Sequence, residues 1–125
     1  ESAQADTTAP YEFSFRSGVA QDSDGNWMTV NSVGPVFTEY TDDDGNVQSV
    51  DAQTTAYRAN VDATAAEGAR STRTTLLADS DWTQMADTAL STEKKAEWVT
   101  YRQALRDLPS ASGWPHTHTM PTKPS

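Results

Sequence analysis

The chain has 125 residues, one domain's worth, yet it is poor in core-forming material: Ile is absent and Leu, Val and Phe together number 16, well under the fifth or so of the chain that folded proteins usually commit to such residues. Its formal net charge of −9 lies wholly in residues 1–52, where ten acids face the single base Arg16, while residues 53–125 carry eight charges of each sign. That balance disfavours nucleic acid and anionic membrane surfaces as partners, because both are held by Lys and Arg, and the absence of Cys excludes disulfides and thiolate metal sites.

Four Trp and four Tyr residues offset the shortage in part, since each can bury a large area. The expected core is therefore small and aromatic, with partner chains supplying further stability. No apolar run reaches the ~18 residues of a spanning helix, and no charged-then-apolar leader is present. The chain begins on Glu1 rather than Met, which reads as a processed product or a segment of a longer protein.

Residues 1–10 are polar up to Pro10 and predict a flexible terminus or linker. Residues 11–52 predict a small acidic antiparallel β-meander. Tyr11, Phe13 and Phe15 alternate with Glu12, Ser14 and Arg16, the period of a half-buried strand. Two related segments follow, Asp22-Ser23-Asp24-Gly25-Asn26 and Asp42-Asp43-Asp44-Gly45-Asn46, each between β-favouring residues. Asp-Gly supplies a positive φ at little cost and signals a hairpin. An acidic calcium loop is the competing reading, but it needs a bidentate Glu at its twelfth position. Val33 and Gln53 stand there instead.

Residues 53–125 predict a helical module with an extended tail. From Gln53 to Ala78 the apolar period becomes helical, with Ala52, Ala56, Ala59, Ala63 and Ala66 on one stripe. Small residues at that spacing allow close approach of another helix, belonging either to the same domain or to a second copy. Numerous Thr residues and Gly68 lower the intrinsic helicity, so packing must hold this helix. Asp79-Ser80-Asp81 interrupts it, and Trp82 is expected to turn back onto the body. Ser91 is a fitting N-cap for a second helix over 92–107, with Glu93 in its first turn. Trp98, Tyr101, Leu105 and Leu108 form its apolar face, Lys94, Lys95, Glu97, Arg102 and Arg106 take the other faces, and Pro109 ends it. Trp114-Pro115 then opens a Pro-studded tail, expected to be extended.

Chemistry is hard to find in this pattern. His116 and His118 would point the same way on an extended segment. Two ligands are too few for zinc, although copies around a symmetry axis could complete a site; solvated tail histidines are the simpler reading. Ser, His and Asp are all present, but there is no Gly-x-Ser-x-Gly elbow, and both His lie in a Pro-rich tail, a poor platform for a held base. Neither an enzyme nor a cofactor site is expected, and the aromatic residues of the second helix read as core.

The ordered string Arg73, Leu76-Leu77, Asp81-Trp82-Thr83-Gln84, Trp98, Tyr101-Arg102, Leu105-Arg106-Asp107-Leu108-Pro109, Trp114-Pro115 and Pro121-Thr122-Lys123-Pro124 resembles the phage tail assembly chaperone family and the C-terminal module of tail fibre assembly proteins. The resemblance covers residues 73–124. Met120 departs from it, standing where that family usually has an aromatic before the Pro. It implies a phage or prophage origin and a role at the tail or its fibres, with other phage structural proteins as partners. The module occurs both in transient chaperones and in proteins retained in the virion.

The resulting expectation is an α+β protein whose interaction and core residues are Trp82, Trp98, Tyr101, Leu105, Leu108 and Trp114. The preferred function is a structural component of a tailed-phage virion, a homo-oligomer in an assembly. A tail or fibre assembly chaperone working in the host cytoplasm is the alternative. A third reading is a host-surface-binding module using Trp27, Tyr40 and the acidic loops.

Overall fold

The computed structural model describes residues 8–125; the first seven residues of the expected flexible terminus lie outside them. The fold is α+β, with antiparallel hairpins preceding the helices. The chain divides into two compact units, residues 1–61 and 62–125.

In the first unit β1 (Phe13–Gln21) pairs antiparallel with β2 (Trp27–Gly34), and β3 (Tyr40–Thr41) pairs with β4 (Val47–Gln48). The strands thus close as two separate two-stranded ladders. The twin Asp-Gly-Asn segments make both turns in the same way. Gly25 N–H donates to the Asp22 carbonyl at 3.1 Å, and Asp22 N–H to the Asn26 carbonyl at 3.0 Å. Gly45 and Asp42 repeat this with Asn46 at 3.0 and 2.9 Å. These are three-residue loops in which the glycine takes the left-handed conformation, φ 82° at Gly25 and 85° at Gly45. The leading carboxylate braces each loop: Asp22 Oδ1 accepts from the Asp24 and Asn26 amides at 2.9 Å each, and Asp42 Oδ1 from those of Asp44 and Asn46 at 3.1 and 2.8 Å.

The β1–β2 register shifts between Arg16 and Gly18. A bulge of this kind changes which side chains share a face. The extra residue, Ser17, donates to the Val30 carbonyl at 3.2 Å and accepts from Ser32 Oγ at 2.8 Å. Phe13 and Phe15 stay on one side as their alternation predicts, paired with Gly34 and Ser32. Both rings are nevertheless exposed, and Tyr11 precedes the strand. Sequence alternation identified the strand but could not supply a layer to cover it.

α1 (Val50–Asp79) begins three residues before the predicted start. Ser49 explains this, since its Oγ accepts from Ala52 N–H at 3.1 Å, and Asp51 lies in the first turn. Gln53 Nε2 donates to the carbonyls of Thr38 and Gln48 at 2.8 and 2.9 Å, tying this first turn to the second hairpin. Phe37 meets Tyr57 edge-on at 5.9 Å, and the Arg58 guanidinium lies 5.1 Å over the Tyr11 ring.

In the second unit the C-terminal part of α1 gives way at Ser80 to a 3₁₀ turn over Asp81–Gln84. α2 runs over Thr92–Asp107, as its cap and its proline predict. Ser91 Oγ accepts from Lys94 N–H at 3.2 Å, and Leu108-Pro109-Ser110 close the helix in a 3₁₀ turn. The buried cluster is Trp98, Tyr101, Leu105 and Leu108, with Leu76, Leu77, Leu90 and Trp114 packed against it. Burial of such side chains contributes about 1.5–3 kcal/mol each.

Candidate interaction site

Trp98 is the hub of the second unit. Its indole is 5% exposed and meets Tyr101 edge-on at 5.6 Å and Trp82 edge-on at 6.0 Å, with Lys123 Nζ 5.9 Å from its centroid. The helical spacing of Trp98, Tyr101 and Leu105 puts all three on one side of α2, and Leu108 extends that side into the 3₁₀ turn. Trp82 sits differently: it touches Trp98 but remains half exposed. Trp114 is half-buried against the cluster.

One residue expected on an open face of α2 is inside. Arg102 is buried, and its guanidinium reaches back to the end of α1. Nη1 donates to the Leu77 carbonyl at 2.6 Å and to Ser80 Oγ at 2.8 Å, and Nη2 to Asp81 Oδ1 at 2.7 Å. The last carbonyls of a helix lack intrahelical donors and carry the negative end of its dipole. A planar cation with several donors suits that position. Ser80 and Thr83 are buried beside it: Ser80 Oγ donates to Leu76 and Leu77, and Thr83 Oγ1 to the Ser80 carbonyl at 2.6 Å. The helical wheel alone could not place Arg102, because its partners lie more than twenty residues upstream. The Tyr101-Arg102 pairing within the family-like string was the available signal.

The two tail histidines have separate roles. His116 Nε2 is 2.6 Å from Asp62 Oδ1, and the His118 ring lies against Trp114 at 4.8 Å. The turn that carries His116 rests on Gly113, whose φ is 82°. Its carbonyl accepts from His116 and Thr117 N–H at 2.9 and 2.7 Å, and a side chain at Gly113 would run into Thr117. Residues 118–125 have no regular secondary structure and lie along α2. Of the alanine stripe, Ala52, Ala56, Ala59 and Ala63 are exposed and Ala66 is half-buried; α1 buries none of its residues. Among the described residues no helix is long and apolar enough to cross a membrane.

Among the described residues the leading turn carboxylates have displaced acidity. Asp22 is held below the ordinary 3.8 chiefly by the Asn26 backbone N–H. Asp42 is lowered likewise by the Asn46 backbone N–H and then by the Gln48 side-chain amide. Each carboxylate accepts hydrogen bonds that favour its charged form.

Residues 66–125 match the family model described as phage tail assembly chaperone protein. No curated protein and no solved structure matches the chain. The matched stretch takes in the aromatic seam, the Arg102 clamp and the tail, and it leaves out both hairpins. Over residues 66–125 the chain is therefore similar to the phage tail assembly chaperone family.

Proposed function

We propose that the chain is a structural component of a tailed-phage virion, a tail, fibre or accessory subunit that assembles through permanent contacts with other phage proteins and with copies of itself. The family match supports the coarse role, phage tail assembly. The observation that carries the finer reading is the condition of the first unit. Phe13, Phe15, Trp27, Met28, Val30 and Tyr40 are all exposed there, and no large apolar side chain among its described residues is buried. Two-stranded hairpins are marginal alone in water, and apolar surface on this scale marks an interaction site. A neighbour that stays in place would cover it, and the open strand edges suit strand addition. The exposed part of the alanine stripe on α1 is offered as a surface for a second copy. The chain acts in this reading by binding, not by catalysis.

The chaperone reading has its own support: the matched unit closes a core of its own around Trp98, as a protein that must persist free in the host cytoplasm requires. Quantitative mass spectrometry of purified particles separates the two. Stoichiometric presence is expected for a virion component. Absence from particles, with abundance in the infected cell, would overturn the structural reading in favour of the chaperone.

A further inference from the structure

We propose that one face of the β1–β2 hairpin is the seat of a basic amphipathic helix from a partner protein. The bulge at Ser17 composes this face. Phe13 and Phe15 share it with Met28 and Val30 of β2, and the register shift sets the small residues Gly18 and Ala20 opposite Val30 and Met28. Val19, which strict alternation would put beside the phenylalanines, is turned to the other face with Trp27. The result is a strip that carries no charge. Its two rings, with centroids 6.1 Å apart, lean over Gly34, where a Cβ would meet Phe13 at 2.7 Å and Phe15 at 3.2 Å. Among the described residues nothing covers their outer sides: Phe13, Phe15, Met28 and Val30 are 37–50% exposed.

Size and charge choose the occupant. β1 is nine residues long, so the strip runs roughly 26 Å, and two strands give it a width of about 10 Å. That is the footprint of one helix of about 17 residues. It is about a third of the ~800 Å² per partner that a stable dimer buries, so two copies packed through this face alone would not hold. A second copy would also bring like charge, since residues 1–52 carry ten acids against one base. Nor does it offer a matching helix: α2 turns its apolar side into the core of its own unit, and on α1 Val50 is the one exposed large apolar residue.

The ends of the strip are acidic. Glu12 precedes Phe13, and Asp22 and Asp24 form the turn beyond Ala20 and Met28. Arg16, the one base of the hairpin, pairs with Asn31 on the other face. A helix with an apolar stripe flanked by Lys or Arg answers both features. This occupant gives a chemistry to the neighbour proposed above for the first unit, and it can be wrong while that neighbour exists: the test below reads peptide binding, whereas particle composition reads permanence.

The test titrates the full chain into a fluorescein-labelled helical peptide of about 17 residues, with Leu along one stripe and Lys and Ala elsewhere, and follows anisotropy. Its counterpart has Glu for every Lys. The Lys peptide should bind about tenfold more tightly than the Glu peptide at ~0.05 M salt, and the gap should narrow at ~0.5 M. Met28→Gln with Val30→Thr, which removes apolar surface without adding charge, should weaken the Lys peptide about tenfold. Trp27→Gln with Val19→Thr, the same change on the opposite face, should leave its affinity unaltered; the Asn26 amide signal checks that the turn is intact in both. In the wild type the Lys peptide should shift the Met28 and Val30 methyl signals and spare the Trp27 indole. Absence of binding would overturn the proposal, as would equal binding of the Glu peptide, the reverse pattern of shifts, or equal effects of the two variant pairs. So would a wild-type dimer in sedimentation equilibrium that Met28→Gln with Val30→Thr abolishes, since a second copy would then be the occupant.

Discussion

Removing Arg102 tests the account of how α1 and α2 are joined. In Arg102→Ala the Leu77 carbonyl, Ser80 Oγ and Asp81 carboxylate all lose a charged donor. The three losses are unequal. Leu77 keeps the Ser80 amide at 3.2 Å and the Ser80 hydroxyl at 3.0 Å, so its carbonyl is not left bare. The Asp81 side chain is 67% exposed against 10% for Arg102, so water replaces much of that ion pair, and its worth is under about 1 kcal/mol. What remains is a hydrogen-bonded cation at a helix C-terminus, at about 1.5–3 kcal/mol for bonds to a charged group and about 0.3–1 kcal/mol for the dipole. The expected cost of Arg102→Ala is therefore about 2–4 kcal/mol. Arg102→Lys, which keeps the charge and loses the fork, should cost about half that, and Asp81→Ala less than about 1 kcal/mol. Urea unfolding followed by Trp fluorescence should show these as midpoint shifts of about 1–2 M for Arg102→Ala with unchanged slope. A cost below about 0.5 kcal/mol would refute the clamp. Asp81→Ala as damaging as Arg102→Ala would show that the ion pair, not the helix end, dominates.

Three further outcomes are expected. Trp98→Ala should cost about 3–5 kcal/mol, because Tyr101, Trp82 and Lys123 all face that ring, and a cooperative melt near wild type would contradict its place at the hub. Gly113→Ala should cost more than the ~1–2 kcal/mol of a left-handed alanine alone, since the added carbon meets the Thr117 backbone; loss of the His116–Asp62 contact by NMR would accompany it. The two acidic turns should loosen in acid: Asp22 and Asp42 are lowered in the folded chain, so their contribution is fully present above 3.8 and lost as pH falls through the folded values below it. The amide shifts of Asn26 and Asn46 should titrate in that window, and Asp22→Ala should abolish the response at Asn26 while sparing Asn46.

Features set by a few adjacent residues were legible in the sequence. Asp-x-Asp-Gly-Asn specified both turns, because the carboxylate, the two amides it accepts from and the left-handed glycine all lie within five residues. Ser91 and Pro109 bracketed α2 for the same reason, and the spacing of Trp98, Tyr101 and Leu105 named its inner side. The apolar period sets the start of α1 three residues late, at Gln53, because the Ser49 cap precedes that period. Tertiary structure alone decided the rest. Arg102 is inside because donors on α2 meet acceptors 21–25 residues upstream, and His116 is fixed by Asp62 across 54 residues. Alternation in β1 marked Phe13 and Phe15 as sharing a side, but whether that side is covered depends on a neighbouring layer. A local pattern encodes which side chains point together; what they meet is settled only when distant segments are brought into contact.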